Sequence, residues 1–381
     1  MTSNIWLAAM LALCLQACAS RPAPLPAGHE QDLPFGAIAD PNPNPPPVIA
    51  LTQTRVDHLV LSGGGAYGAW NAGLLAGWQQ RGDRPRFQVV TGISTGALVA
   101  TVAFLGPKYD QALKQAYAEQ PASAIVGHLN PFGALFGRSA YDSDKLRALI
   151  DHFITDGMID EVAASHRQGR RLYVGTTNAD AGVPVFWDLG AIAASDRSDR
   201  YHYYRDVLQA ASAFPGAFEA RYFPVGVAGS TYYQMHHDSA WDLLFLRPFM
   251  VDQFRLLPRA QQRVWVVVNH QLLFQRQHPS SGKALANGIQ FAYDSNQYRV
   301  NESLLRVYRM AAAKQMGFCY AAIPQSYPLD FEPLQFGPEN MLPLYRLGVD
   351  AGLSGDHWQS HPSRIAPSER MEIKLSCEET P

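Results

Sequence analysis

The chain has 381 residues, 47% of them hydrophobic and 17% charged, with a formal net charge of -2. That length suffices for one large domain or two small ones. The near-neutral balance offers no electrostatic footprint for nucleic acid, and the chain carries no internal repeat and no charged tail.

The first element is an apolar run from Ile5 to Cys18, broken only by Gln16. It is too short to span a bilayer comfortably, but it has the length of the apolar region of a secretory signal. It ends in Leu15-Gln16-Ala17-Cys18, which resembles the lipobox of bacterial lipoproteins. The resemblance implies that residues 1–18 hold a signal peptide with its lipobox and that Cys18 receives lipid. It implies an anchor in the bacterial cell envelope and, with Ala19 rather than Asp next, the outer membrane facing the periplasm. A plain signal peptide with an incidental cysteine is the alternative. With Cys14 removed and Cys18 lipidated, Cys319 and Cys377 remain. An oxidising compartment permits a bridge between them, and a buried free thiol at Cys319 is the other reading.

Residues 19–54 are rich in proline and lack any apolar period, so they are expected to be a tether. The pattern then changes. A short apolar strand covers Asp57 to Gly63. Trp70, Leu74, Leu75 and Trp78 follow at helical spacing, with Gly82 as a stop signal. A second strand is expected at 87–92 and a second, almost wholly apolar helix at 94–106. Further strands are expected at 170–178, 183–189, 263–271 and 318–324. Further helices are expected at 143–154, 204–214, 297–317 and 338–355. Strand, helix, strand, helix argues for an α/β fold with a mainly parallel sheet and helices packed on it. No second linker interrupts the run, so residues 55–355 read as one domain and 356–381 as a C-terminal tail.

Gly63, Gly65 and Gly68 spell G-x-G-x-x-G after the first strand. A dinucleotide site would need an acidic residue at the end of the second strand. That strand ends instead in Gly92-Ile-Ser-Thr-Gly96, and no lysine follows the glycines as a phosphate loop requires. No nucleotide and no other cofactor is therefore expected. G-x-S-x-G between strand and helix is the context of a nucleophile elbow, which makes Ser94 the candidate nucleophile. Strand-helix-strand connectivity brings both strand ends to one sheet edge. The amides of Gly63, Gly64 and Gly65 then become candidate oxyanion donors. Gly68, Gly73 and Gly77 read as packing positions.

The glycine loop at 63–68 followed by the serine elbow at 92–96 resembles the patatin-like phospholipase family. The block Ala210 to Phe218 resembles that family's A-S-x-A-x-P stretch, and the likeness runs from about Arg55 to Gly352. The resemblance implies a three-layer α/β/α fold and a Ser-Asp dyad cleaving acyl esters, with a membrane or lipid as substrate. It points to Asp238, in the sequence His-His-Asp-Ser-Ala, as the base. Two positions depart from the family: Ser239 stands where glycine usually follows the aspartate, and Tyr67 where the loop usually carries a cation.

A Ser-Asp-His arrangement is the competing reading, with His270 as its best placed histidine. Of His236 and His237, at most one should reach the site, because neighbours on a strand face opposite sides. His357 and His361 are spaced like a metal pair but lack a third ligand, so they read as solvated. Phe132, Leu135 and Phe136 in the apolar stretch 129–142 form either a lip for acyl chains or a buried loop. Three functions fit: a phospholipase or lysophospholipase, a general carboxylesterase or thioesterase, or a non-catalytic lipoprotein that binds acyl chains.

Overall fold

The structure of the protein is a computed structural model that describes residues 21–29, 33–38, 47–50, 54–125, 141–239, 242–273, 284–366, 368, 370 and 377. The signal segment with Cys18 and the stretch with Phe132, Leu135 and Phe136 lie outside the described residues.

The core strands are β2 (Val56–Leu61), β3 (Val89–Ile93), β4 (Arg171–Asn178), β8 (Gln262–Val268) and β9 (Gly317–Ala322). They pair in parallel in the order β4-β3-β2-β8-β9. Strand β5 (Val183–Asp188) adds antiparallel to β4, and β1 (Gly36–Ile38) adds antiparallel to β5. The mainly parallel α/β sheet expected from the sequence is thus present.

Strands buried on both faces read as continuous apolar runs, and β2, β3 and β8 are buried along their whole length. Alternate residues feed two cores. Leu59, Leu61, Val90 and Val267 face one, and Val60, Val89, Val264 and Val266 face the other. The first core is covered by α1 (Gly68–Arg81), α2 (Thr95–Leu105), α3 (Ser143–Phe153), α4 (Arg200–Ala211) and α6 (Pro338–Ser354). The second is covered largely by the C-terminal half of α5 (Ala284–Ala313), through Val300, Leu304, Val307 and Tyr308. The result is three layers, α/β/α. Helices α1 and α6 meet backbone to backbone. A Cβ on Gly73 would lie 2.0 Å from the Tyr345 carbonyl oxygen, and one on Gly77 2.0 Å from that of Val349.

Two expectations about the ends of the chain need correction. The proline-rich stretch before Arg55 is not a free tether where it is described. Leu33 is buried, β1 lengthens the sheet, and Tyr233 exchanges backbone hydrogen bonds with Ala23 and Leu25. The triplet of β1 contains no proline, so its N–H groups can pair with an open sheet edge. The segment after α6 is not a loose tail either. Trp358 stacks edge-on against Trp265 with centroids 4.8 Å apart, and Gln359 bridges to Tyr320 of β9. Cys319 of β9 and Cys377 form a disulfide.

The sequence reading missed the hairpin of β6 (Arg221–Val227) and β7 (Ser230–His237), which turns through Ala228-Gly229, both at positive φ. That hairpin positions the site. Strand β4 outruns β3 by Thr176, Thr177 and Asn178, and the last two pair with His237 and His236 of β7. Since β5 occupies the other side of β4, β7 lies on the β3 side. The residue after β7 therefore arrives opposite the end of β3.

Candidate active site

Ser94 is the residue after β3 and caps α2. Its backbone sits at φ 53, ψ -127, a sparsely populated region for a residue with a side chain. The elbow is closed by its flanking glycines: a Cβ on Gly96 would lie 2.5 Å from the carbonyl oxygen of Leu61. The sharp turn projects the hydroxyl out of the sheet edge, above the N-terminus of α2 with its unsatisfied amides.

Asp238 follows β7 at that same edge. Its N–H donates to the Ala213 carbonyl at 3.0 Å, tying it to the turn after α4. Its carboxylate accepts hydrogen bonds from the Ser94 hydroxyl and from the Ser239 N–H, the latter at 2.7 Å. Burial of this carboxyl group raises its pKa from 3.8 to about 7, against the opposing pull of the Ser94 and Ser239 hydrogen bonds and the Arg299 cation. Ser239 takes the place of the expected glycine without strain, since it is not among the residues at positive φ. Its hydroxyl accepts from the Asp242 N–H at 3.2 Å.

The glycine loop lies beside Ser94, and a Cβ on Gly63 would come 3.1 Å from that of Ser94. The three expected donors reduce to two. The Gly63 N–H donates to the Leu243 carbonyl at 3.0 Å. No acceptor among the described residues meets the N–H of Gly64 or Gly65. Gly64 is held at φ 146 with the space of a Cβ filled by Asn269, 2.8 Å away. Only glycine fits there.

Asn269 is a residue that the sequence reading passed over. Its N–H donates to the Ser62 hydroxyl at 2.7 Å, its Nδ2 to the Ser62 carbonyl at 2.9 Å, and its Oδ1 accepts from the Asn71 N–H. It clamps the loop to the end of β8. A polar residue directly after the apolar run of β8 was the available signal. Tyr117 was also missed. It lies in a π-helical turn, Gln115–Glu119, and its hydroxyl bonds both the Thr95 hydroxyl at 2.6 Å and the Thr95 carbonyl at 3.1 Å. A single π turn inside a helix often marks a functional site, and this one braces the residue after Ser94.

The histidines separate. His236 is packed in the core, bonded to Thr176 and Gln234, and burial lowers its pKa to about 3. His237 bonds the carbonyl of Asp238 through Nδ1 at 2.7 Å, not the carboxylate. His270 does reach the cavity, beside Gly64 and edge-on to Tyr67, and burial lowers its pKa to about 4. Tyr67 is buried, and its hydroxyl donates to the Phe331 carbonyl at 2.5 Å. His357 is bonded to Asp356, and among the described residues no group of three His, Cys, Asp or Glu is placed to hold a metal.

Ser94, Asp238 and the glycine loop open into one cavity of about 550 Å³. Its walls are mostly apolar, including Leu98 and Val102 of α2, Leu149 and Ile150 of α3, and Phe214 and Met341.

A three-layer α/β fold with a serine on a strained strand-helix elbow, hydrogen-bonded to a buried carboxylate, defines the class. Residues 59–240 match the family model of the patatin-like phospholipases. No curated protein matches the chain. Among solved structures, VipD from Legionella pneumophila aligns at 12% identity over 81% of this chain and 68% of that chain, with a TM-score of 0.33. That likeness is too distant to support an argument.

Proposed function

We propose that the protein is a serine acyl hydrolase that cleaves carboxylic esters of phospholipids or lysophospholipids through Ser94 and Asp238. One observation carries the reading: the Ser94 hydroxyl, on the elbow, donates to a buried carboxylate at the mouth of a large apolar cavity. Serine is a weak nucleophile until a base takes its proton. A base works best with a pKa near the working pH, and Asp238 at about 7 meets that condition.

In the first half-reaction the Ser94 oxygen attacks the ester carbonyl and its proton passes to Asp238. The amides of Gly64 and Gly65 receive the oxyanion. The tetrahedral adduct collapses, and the leaving alcohol takes the proton from Asp238. Water then attacks the acyl-enzyme and gives its proton to the same carboxylate. The fatty acid leaves and Ser94 recovers its proton. The apolar walls exclude water around these charges and take the acyl chain, which favours lipid over short soluble esters. No step calls for a cofactor.

The test is labelling with a fluorophosphonate probe, compared between wild type and Ser94→Ala, with folding checked by circular dichroism. Labelling of wild type alone is the expected result. A folded wild type that neither labels nor hydrolyses acyl esters of any chain length would leave a lipid-binding lipoprotein. Turnover that does not rise with chain length would point to a general esterase.

As a further part of the proposal, the lipobox-like sequence at Cys18 supports a lipid-anchored protein of the bacterial envelope. The Cys319–Cys377 disulfide supports an oxidising compartment. Metabolic labelling with an alkyne fatty acid, lost in Cys18→Ala, is the check.

A further inference from the structure

The cavity is not uniform. Aliphatic and aromatic side chains, many from α2 and α3, make up most of the lining, and a polar group is set among them: Ser94, Asp238, His270, Asn296 and Arg299, with Arg299 near the Asp238 carboxylate. Among the described lining residues, Arg299 is the sole lysine or arginine. It comes from α5, the helix that covers the opposite face of the sheet, and not from any element of the elbow.

Arg299 and Asn296 are three residues apart, so they share one face of α5. The Arg299 Nη2 donates to the Asn296 Oδ1, which orients the guanidinium and leaves the Asn296 amide nitrogen to act as a second donor. Half-burial works against this cation, and the nearby Asp238 carboxylate works for it. A guanidinium that lines a mostly apolar cavity attracts an anionic ligand, and its fork fits two oxygens of one tetrahedral group. During turnover Asp238 takes up a proton and loses its charge.

We propose that Arg299, with Asn296 beside it, anchors the phosphate of the lipid head group while the acyl chain lies along the apolar walls. The inference rests on the Ser94–Asp238 reading and deepens it. The reacting ester would lie at Ser94, a short distance from the phosphate at Arg299, as it does in a glycerophospholipid. Arg299 is thus a specificity-determining residue for phosphorylated over neutral acyl glycerols.

The experiment uses the full chain and two esters with the same single acyl chain, a lysophospholipid and a monoacylglycerol. They differ only in the phosphorylated head group. Wild type is compared with Arg299→Gln and Arg299→Lys, with the fluorophosphonate probe reporting the serine in each. The expected result is a fall of about 10- to 100-fold in the kcat/KM ratio of lysophospholipid to monoacylglycerol in Arg299→Gln. Arg299→Lys should recover part of it, since it restores the charge without the fork. The ratio cancels any change in the basicity of Asp238, which acts on both esters alike.

An unchanged ratio in variants that still label overturns the anchor and leaves the dyad standing. If inorganic phosphate alters monoacylglycerol turnover in wild type but not in Arg299→Gln, while the ratio stays fixed, Arg299 holds free phosphate and the anchor is again overturned. A folded wild type that neither labels nor cleaves either ester overturns the dyad and the anchor together.

Discussion

Two strand ends meet at this site and each presents a titratable side chain, Asp238 after β7 and His270 after β8. In water the histidine is the better base, with a pKa of about 6.5 against about 3.9 for aspartate. Here the order is inverted, with Asp238 raised to about 7 and His270 lowered to about 4. The cause is the same for both. Burial disfavours the charged form, which is the base for a carboxylate and the acid for an imidazole. Residue type therefore ranks the two bases wrongly, and the hydrogen bond from Ser94 goes to the one that burial has strengthened.

The sharpest way to break that comparison is to remove each group in turn. Asp238→Asn should lower kcat by about two to four orders of magnitude, the usual contribution of a positioned base. His270→Gln should cost less than about tenfold, in line with an uncharged wall residue. Equal losses from the two would restore a Ser-Asp-His arrangement. Steady-state kinetics on one acyl ester is enough to decide.

A smaller effect is expected in the glycine loop. Gly64→Ala places a Cβ against Asn269 at a backbone angle that side chains rarely adopt. The amide should move, with a loss of about a hundredfold in kcat if it is an oxyanion donor. Gly82→Ala, also at positive φ but with open space around it, is the control for strain alone. A loss of kcat in Gly64→Ala no greater than in the control would remove Gly64 from the oxyanion hole.

What the sequence made legible follows from the same physics. The elbow was readable because its demands are local: a strand, small flanking residues, a serine and a helix within about 15 residues. The glycine loop was readable for the same reason, although which amides stay free depended on Leu243, far away in sequence. Asp238 was reached by resemblance alone. Its placement depends on the end of β4 overrunning β3 and on a hairpin whose strands alternate only partly. The Ala-Gly turn at 228–229 between two runs of β-formers was a usable signal for that hairpin. The π turn that carries Tyr117 and the reach of Arg299 across from α5 have no local signature. The tether was misread because composition averages over prolines, whereas an edge strand needs only a few residues free of them.

The pH dependence of rate follows from the inverted order. The base must be ionised, so kcat/KM should rise with pH through about 7 and level off above it. The rise should fit a single ionisation, because His270, lowered to about 4, is already neutral across that range. In His270→Gln the midpoint should stay near 7. A midpoint that moves with His270 would mean that the two groups titrate as a pair.

A separate effect falls on stability, and its sign is the most discriminating. A carboxyl group whose folded pKa lies above its unfolded value holds a proton that the unfolded chain releases. Asp238 thus stabilises the fold below about pH 4, and that stabilisation is lost as pH rises to about 7. Above pH 7 the buried carboxylate weakens the fold by roughly 4 kcal/mol relative to acid, an upper bound of about 1.36 kcal/mol per pH unit. His270 and His236 have the opposite linkage. Their folded pKa values are depressed, so their contribution is present above pH 6.5 and is lost as pH falls toward 4 and 3. Asp238→Asn should therefore raise Tm at pH 8 by more than at pH 5, and His270→Gln should soften the acid side of the profile without changing the alkaline side. Melting by circular dichroism at the two pH values separates these outcomes. An Asp238→Asn variant stabilised equally at both would mean that the carboxyl group is not held near pH 7, and the reason for preferring it over His270 as the base would disappear.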